Sequence, residues 1–581
     1  MNARLKMFIG LTAVLLTALA LISQMGRTAP LFAGSNQFIF LPIVTKPVSA
    51  DLTITGVEIT QATQKVDNSV PLVANRNTVV RVFAEAPVGG PMNNVVVRLT
   101  AVRNGVTLNP ISSAPITIPT TTDRSNFNSS INFILPANWL SGNVSLTATI
   151  DPDNTIPESN ESNNSLIQAM NFNDVPDLQI VIVPINYTHT GAVAPGYYPG
   201  QSADHISDWI RSAYPVDAVN VTMRTPYNFT GNLATQADWI DLLNRMLTVK
   251  LADGHAENTP IVYYAFVPIS NGSTQWFFSG IAGIGWIGAR ESVGLNLMGY
   301  SPNIDATGEL AGHEIGHNMG RRHAPCGNPS QLDENYPYAG ASIGEYGLDI
   351  PNGVFWSPAT AVDFMSYCDP AWISDYTYIG IYNDQRANGF VAIDVTAVDS
   401  MIVSAGLSDD GVVTLAPSYA FTSYPSTGVS GDYRAELLDE NGDVLASQPM
   451  QLREAEEEGV SARALTAVLP LPGKAAATLR IMQGDTTAAS RSLNNTAAFG
   501  PQTATAVREG DAITLNWGLV GTPTIVRYSP DGGQSWLALG IGVTDGAFTI
   551  DTTTLPAGED GLFEIILGNT GSKVVLTAVM P

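Results

Sequence analysis

The chain has 581 residues, of which 45% are hydrophobic and only 14% are charged, which excludes a disordered chain and predicts about four globular domains. The formal net charge of −25 argues against nucleic acid and against anionic membranes as partners, because both would repel such a surface. The simplest explanation of this acidity is that the negative charge keeps an exported protein soluble.

The first 27 residues have the pattern of a signal peptide. Arg4 and Lys6 precede an uncharged, apolar run from Met7 to Ile22, and Ala18 and Ala20 supply the small residues of a cleavage site. Cleavage would release a secreted or cell-surface protein, whereas an uncleaved run would stay as a membrane anchor, the one membrane contact that we expect. Residues 28–50 are predicted to be a linker.

Residues 51–173 are predicted to form a β-sandwich. Runs such as Asn77–Ala86 and Asn143–Ile150 are rich in Val and Thr, partly alternate in polarity, and are separated by Gly, Pro and Asn clusters. The stretch Asp151–Asn164 resembles the acidic, Asn-rich turn of bacterial adhesion-type immunoglobulin-like modules. Its oxygen-rich side chains could hold Ca²⁺. Asx-type turn bonds, which we favour, explain the same residues without a metal.

Residues 174–399 change to alternating strands and helices, which indicates a domain with a mixed sheet and helices of α/β or α+β type. Each predicted helix carries apolar residues at helical spacing, and each strand is a short, apolar run. The predicted strands are Leu178–Ile185, Asn220–Arg224 and Pro260–Ile269, the predicted helices are Ala203–Ala213 and Ala237–Val249, and Gly280–Leu297 is Gly-rich and β-like.

Residues 400–498 and 499–581 return to β-patterning, and each block is predicted to be a small β-sandwich. An Asn441-Gly442 pair gives a hairpin signal in the first block. We see no catalytic constellation in either sequence block. The predicted strands include Tyr433–Leu438, Ala476–Met482, Ala512–Trp517 and Thr524–Ser529.

The segment from His313 to His323 fits the pattern H-E-x-x-H-x-x-G-x-x-H and contains three of the six histidines of the chain. His313 and His317 are four residues apart, so on a helix their rings lie on one face and reach one cation. Gly320 lets the helix end and the chain turn, which brings His323 back as a third ligand. Three protein ligands leave one position for water, which is typical of a catalytic Zn²⁺ site with Glu314 as general base.

With this motif the chain resembles the metzincin superfamily of zinc peptidases, which adds a methionine turn beneath the metal. Asp363–Cys368 fits that turn, with Met365 as its methionine, and the resemblance implies an α+β metzincin-like catalytic domain flanked by all-β sandwiches. In astacins and serralysins the residue two places after this Met is a Tyr that helps to stabilise the transition state, a role that falls on Tyr367. The resemblance covers roughly residues 178–390.

The same resemblance implies three further features. Its two motif segments must meet under the metal, so Cys326 and Cys368, the only cysteines, are expected to form a disulfide. A terminal helix is expected around Trp372–Gln385, with Ser374 or Asp375 as its cap. The loop between the motifs carries four acidic residues as candidate Ca²⁺ ligands, for which solvated turns are the favoured alternative: Asp333, Glu334, Glu345 and Asp349.

We therefore expect a secreted zinc metalloendopeptidase that hydrolyses peptide bonds of extracellular proteins, with the substrate extended along a strand in Gly280–Leu297. One alternative is an adhesin or binding protein with an inactive metal domain, or a surface protein with a vestigial site. Another is a different zinc hydrolase, such as an amidase acting on cell-wall peptides. The sequence leaves the substrate, the metzincin family, the presence of a propeptide and the oligomeric state open.

Overall fold

The residues that the structure describes form several β-rich modules, and only 15% of these residues are helical. The computed structural model describes residues 50–187, 199–269, 280–297, 306–389, 395–427, 431–457, 459–493, 504–558 and 560–577. The predicted signal peptide and almost all of the predicted linker lie outside these residues. None of the helices in this described part is both long and apolar enough to cross a membrane.

The first module is a β-sandwich, as its alternating sequence predicts. One sheet has the order β1-β3-β9 and the other β2-β11-β10-β5-β6, with β7 on β5 and a separate β4-β8 pair. Every second residue of β10 from Val144 to Ile150 is buried, so one face of the strand points into the core. The strands are β1 (Asp51–Thr60), β2 (Leu72–Val73), β3 (Val79–Val88), β4 (Met92–Val95), β5 (Val97–Arg103), β6 (Val106–Thr107), β7 (Ile111–Ser112), β8 (Ile116–Ile118), β9 (Ile131–Ile134), β10 (Gly142–Ile150) and β11 (Ser165–Asn173).

The acidic turn between β10 and β11 is held by its own side chains. Asp151 accepts hydrogen bonds from Thr155 Oγ1 and from the Ile156 amide, both at 2.8 Å. Glu158 accepts from the Leu52 amide at 2.6 Å, and Asn160 caps the amide of Ser162 at 3.2 Å. Of these bonds, the one from the Ser162 amide to Asn160 is of the Asx type favoured from the sequence.

The central domain is built on a sheet of order β13-β12-β15-β17-β16, with β14 also paired to β12. All of its pairings are parallel except that of β16, which is antiparallel to β17 and lies at the edge. Its elements are β12 (Leu178–Tyr187), α1 (Pro199–Ala213), β13 (Val219–Met223), β14 (Tyr227–Phe229), α2 (Gln236–Ala252), β15 (Val262–Pro268), β16 (Gly283–Gly285), β17 (Glu291–Asn296), α3 (Ala306–Asn318), β18 (Gly347–Asp349), β19 (Val354–Trp356), β20 (Val362–Asp363), β21 (Ala371–Trp372) and α4 (Asp375–Asn388).

The predicted alternation of strands and helices in this domain is confirmed, with boundaries shifted by a few residues. Strand β15 is buried along its whole length, which explains why its sequence is continuously apolar rather than alternating. Helix α4 begins after Ser374, whose side chain accepts a hydrogen bond from the Thr377 amide, so of the two expected caps Ser374 is the one used.

In each of the two C-terminal blocks, two sheets pack around a shared apolar core and form a β-sandwich. The first block has one sheet of order β23-β22-β28-β27, in which β24 also pairs with β22, and a second sheet of order β26-β25-β29-β30. The second block has one sheet of order β31-β32-β35 and another of order β34-β33-β36-β37. Their strands are β22 (Val398–Leu407), β23 (Val413–Leu415), β24 (Tyr419–Ser423), β25 (Tyr433–Leu438), β26 (Val444–Pro449), β27 (Gln451–Glu457), β28 (Val460–Pro470), β29 (Thr478–Gln483), β30 (Thr486–Ser492), β31 (Thr505–Glu509), β32 (Ala512–Asn516), β33 (Thr524–Ser529), β34 (Leu537–Val543), β35 (Ala547–Asp551), β36 (Leu562–Leu567) and β37 (Lys573–Thr577).

A buried ionic cluster joins the β22–β30 sandwich to the central domain. Arg453 of strand β27 lies between two carboxylates of the central domain, 2.8 Å from Glu257 and in contact with Glu291. Lys250 of helix α2 completes the cluster at 3.2 Å from Glu291. Removing one partner of such a buried set leaves an uncompensated charge at a cost of about 3–5 kcal/mol, so these groups fix the sandwich in one position.

Candidate metal centre

Helix α3 carries the first two motif histidines on one face. His313 and His317 are one helical turn apart, and their Nε2 atoms lie 3.2 Å from each other. The C-terminal end of the helix is fastened to the sheet, because the Asn318 amide group donates to the carbonyl oxygens of Trp286 and Glu291 at 3.0 and 2.9 Å. The sheet therefore sets the position of both rings.

Each motif histidine is oriented by a backbone carbonyl group at 2.8 Å from its Nδ1 atom. The partners are Phe364 O for His313, Arg321 O for His317 and Ser330 O for His323. A carbonyl oxygen can only accept, so each Nδ1 must carry the proton and each Nε2 presents a lone pair. Two such lone pairs facing each other at 3.2 Å repel unless a cation lies beside them.

The chain reverses after α3 at Gly320, whose φ of 75° lies in the left-handed region that favours glycine. The Gly320 amide donates to the His317 carbonyl at 2.8 Å, which closes the helix, and His323 then returns to the two helical histidines. The ring centroids of His317 and His323 are 4.7 Å apart. The predicted roles of the glycine and of the third histidine thus have the expected geometry.

Met365 packs against helix α3 at Gly316. It is buried, and its sulfur would lie 2.5 Å from a Cβ atom added at Gly316, so a side chain at Gly316 would displace either the helix or Met365. The Met365 amide donates to Asp363 Oδ1 at 2.8 Å, which holds the turn. The methionine acts as a packing residue that supports the histidine-bearing helix.

A fourth ligand atom comes from Glu457 at the end of strand β27. Its Oε1 atom lies 3.7 Å from Nε2 of His313 and of His317 and 3.6 Å from Nε2 of His323. These four ligand atoms all lie within 4.8 Å of one another, and the four residues are buried. Two ligands that bind one ion tetrahedrally at about 2.0–2.1 Å are separated by about 3.3–3.4 Å.

These spacings fit a tetrahedral cation site of Zn²⁺ type. Glu457 Oε1 is buried without a hydrogen-bond partner among the protein groups, so a bound cation or water would satisfy it. Three imidazole nitrogens and one carboxylate oxygen are a donor set that Zn²⁺ accepts. His313, His317, His323 and Glu457 are thus the residues that would hold the ion.

Burial dominates the electrostatics of the site. It lowers the pKa of His313 to about 3, with help from the neighbouring His317, and it also lowers the pKa of His317, so both rings favour the neutral form that binds metals. Burial raises the pKa of Glu314 well above its usual range, and the nearby carboxylate of Glu457 adds to this. Burial opposes the charge of Glu457 too, yet the adjacent imidazole rings of His317 and His323 outweigh burial and lower the pKa of Glu457.

Glu314 and Tyr367 border a cavity of about 530 Å³ next to the histidines. Glu314 is 1% exposed, and its Oε2 atom has no hydrogen-bond partner. The Tyr367 hydroxyl lies 3.2 Å from His323 Nε2 and donates to Glu457 Oε2. The cavity also reaches Gly280–Gly283, at the start of the segment in which a substrate strand was predicted.

The predicted disulfide between Cys326 and Cys368 is present. It joins the segment after the third histidine to the methionine turn. Backbone bonds join the same segments, from the Ala324 amide to Met365 O at 2.9 Å and from the Tyr367 amide to Cys326 O at 3.1 Å. The bridge thus holds Tyr367 and the turn close to His323.

Replacing both cysteines by serine is expected to lower the free energy of unfolding by about 3–4 kcal/mol, because the bridge closes a loop of 42 residues in the unfolded chain. Urea denaturation followed by tryptophan fluorescence measures the change. Reduction of the unaltered protein should lower the midpoint to the same extent. An unchanged midpoint in both experiments would show that the bridge does not stabilise the fold.

Three of the four loop residues considered for Ca²⁺ are engaged by protein groups. Asp333 accepts from the Tyr376 hydroxyl at 2.9 Å, Glu345 pairs with Arg124 at 2.8 Å, and Asp349 accepts from Asn352. Within the residues that the structure describes, only the histidine–Glu457 group brings three or more potential ligand atoms close enough to share an ion.

Sequence reasoning missed Glu457. It lies 90 residues downstream of Tyr367, in a module with no recognisable site pattern. The only local signal is the acidic run Glu454-Ala-Glu-Glu-Glu458, which is dense for a chain with 14% charged residues. Acidic runs of this kind are common in solvent-exposed hairpins. Only the way in which the sandwich packs against the central domain shows which of these carboxylates reaches the histidines.

Comparison with known proteins identifies one module. The CARDB family matches residues 93–168, within the first sandwich, which bears out the immunoglobulin-like module predicted there. No curated protein matches the chain.

Three solved structures illustrate the extent of similarity. The CARDB domain of a Pyrococcus furiosus protein in complex with di-metal ions is 19% identical and covers 21% of this chain and 94% of its own, with a TM-score of 0.15. A domain assigned to a cell-surface protein of Methanosarcina acetivorans is 18% identical over 22% of this chain and 93% of its own, with a TM-score of 0.16. A Parabacteroides merdae β-glucuronidase is 7% identical, covers 91% of this chain and 78% of its own, and has a TM-score of 0.16, too low to carry an argument.

Proposed function

We propose that the chain is a secreted or cell-surface zinc metalloendopeptidase, with Zn²⁺ held by His313, His317 and His323 and with Glu314 as general base. The observation that carries this proposal is the convergence of three imidazole Nε2 atoms beside a buried carboxylate with an unpartnered oxygen. An export-type N-terminus, a disulfide and a CARDB-type module support an extracellular location.

The side chains around the cavity have distinct tasks in this proposal. A Zn²⁺ ion here supplies Lewis-acid activation of a water molecule and of the scissile carbonyl group. Glu314 removes a proton from the water and returns it to the leaving amine nitrogen. Tyr367 donates a hydrogen bond to the carbonyl oxygen as negative charge develops. The peptide lies extended along β16, an antiparallel edge strand that can accept one more strand.

Peptide cleavage that needs the metal tests this proposal. The zinc-loaded natural chain and its Glu457→Ala variant, which lacks the fourth ligand atom, are incubated with a proteome-derived peptide library. We expect cleavage at defined peptide bonds by at least the variant, abolished by a chelator and restored by Zn²⁺. A lack of cleavage by both proteins, with zinc bound to each, would contradict the proposal.

A second candidate function is an adhesin whose metal site serves only structure. The CARDB-type module and the closed set of four ligand atoms favour it. In that case zinc would raise the melting temperature of both proteins in the same assay, and neither would cleave peptides.

A further inference from the structure

The carboxylate of Glu457 reaches the metal site from another module. Strands β27 and β28 form a hairpin of the β22–β30 sandwich, and Glu457 is the last residue of β27, paired with Val460 across the turn. Although it ends a strand of the hairpin, Glu457 is only 6% exposed, because its side chain lies next to the three histidines. The Glu457 carboxylate would therefore take the position in which a catalytic zinc site keeps its water.

Three further contacts fix the hairpin there. The Ile287 amide, which follows edge strand β16, donates to Glu454 O of strand β27 at 2.8 Å. Arg453 lies in the buried ionic cluster with Glu257 and Glu291. At the tip, Glu457 Oε2 accepts the hydroxyl proton of Tyr367. The hairpin is thus held by the ionic cluster near its base, by the backbone hydrogen bond along its side, and by the hydrogen bond from Tyr367 at Glu457.

This arrangement conflicts with turnover in two ways. A catalytic zinc site needs an open coordination position, and Glu457 Oε1, which lies among the histidine ligand atoms, would fill it. Tyr367 must donate to the substrate carbonyl, and its hydroxyl group is already used by Glu457 Oε2. A peptide carbonyl at the metal would compete with both oxygens of one carboxylate.

We propose that the β27–β28 hairpin is an inhibitory latch, in which Glu457 acts as a fourth metal ligand and keeps the peptidase latent until the hairpin is withdrawn. The idea rests on the proposed function, since a latch needs an activity to restrain. The β22–β30 sandwich would then act as an inhibitory domain within the same chain. Cleavage or displacement of that sandwich would expose the open coordination position.

The test compares full-length, zinc-loaded proteins: the natural chain, Glu457→Ala, Glu457→Gln and the control Glu440→Gln. Glu440 is an exposed carboxylate in another hairpin of the same sandwich. Three histidines suffice to hold catalytic zinc, so the Glu457 variants should retain one zinc per chain. If the open form is about 1% populated or less, kcat/KM for a cleaved library peptide rises about 100-fold or more in Glu457→Ala. Glu440→Gln should match the natural chain.

A second readout does not depend on activity. In cobalt-substituted protein, acetohydroxamate bound at an open position changes the visible absorption spectrum. We expect the change in the two Glu457 variants at concentrations that leave the natural chain and Glu440→Gln unaltered. Glu457→Gln keeps the size of the side chain, so it guards against a variant that misfolds.

The outcomes separate the latch from the enzyme. Equal peptidase activity and equal hydroxamate binding in the natural chain and the Glu457 variants would overturn the latch and leave the proposed function standing. Hydroxamate binding confined to the Glu457 variants, without peptide cleavage by any protein, would show that Glu457 closes the site but would overturn the peptidase and with it the latch. Both gains in the Glu457 variants support the two proposals together.

Discussion

Replacing Glu314 by Gln in the Glu457→Ala protein is expected to lower kcat/KM for peptide hydrolysis by about 10²–10⁴ without changing the zinc content. Glu314 follows the first histidine, borders the cavity and has an oxygen without a partner, so it is free to move a proton. Gln has the same shape but cannot accept that proton. Steady-state kinetics on a library-derived peptide, with zinc measured by mass spectrometry, gives the result.

The control for Glu314 is the same substitution at exposed Glu440, which should leave kcat/KM of the Glu457→Ala protein unchanged. Full activity of the Glu314→Gln protein would assign the proton transfer to another group and end the mechanism. Loss of zinc together with activity would instead mean that Glu314 binds or positions the metal rather than acting as a base.

Replacing His317 by Ala is expected to weaken zinc binding by about 10²–10³-fold. Structural zinc sites bind with about 10–16 kcal/mol, so one of four ligands accounts for about 2.5–4 kcal/mol. The His317 ring is preset for this role, because its Nδ1–H group donates to Arg321 O and its Nε2 atom faces His313. Competition with a chromophoric chelator measures the affinity.

His205→Ala is the matched control for this substitution, since His205 lies on helix α1 outside the group of ligand atoms. Its zinc affinity should equal that of the natural chain. An unchanged affinity in His317→Ala would mean that the ion, if bound, lies elsewhere, and the three-histidine arrangement would then be wrong.

The central domain could largely be predicted from the sequence because its signals are local. Strand β15 is a short apolar run, and helix α2 has apolar residues at helical spacing behind the Thr235 cap. The histidine motif combines a helical four-residue spacing with a glycine at which the chain reverses, so it fixes both ligand positions and the turn. The disulfide followed once the two motif segments were expected to meet.

The position of Glu457 could not be predicted, because it depends on how two modules dock. The docking depends on an ionic cluster of Arg453 with Glu257 and Glu291. Because these two carboxylates are distant in sequence from Arg453, no local pattern predicts the cluster. The docking matters for function, since it decides whether the site has an open coordination position. Local patterns predict which residues can bind a metal, whereas tertiary packing decides which of them reach it.

X-ray absorption at the zinc K-edge of the zinc-loaded natural chain tests the central claim most directly. The account predicts one zinc per chain, with three imidazole nitrogens at about 2.0–2.1 Å and one carboxylate oxygen at about 2.0–2.2 Å. In Glu457→Ala the three imidazoles should remain. A chain that binds no stoichiometric zinc, or a spectrum with fewer than three imidazole ligands, would contradict it.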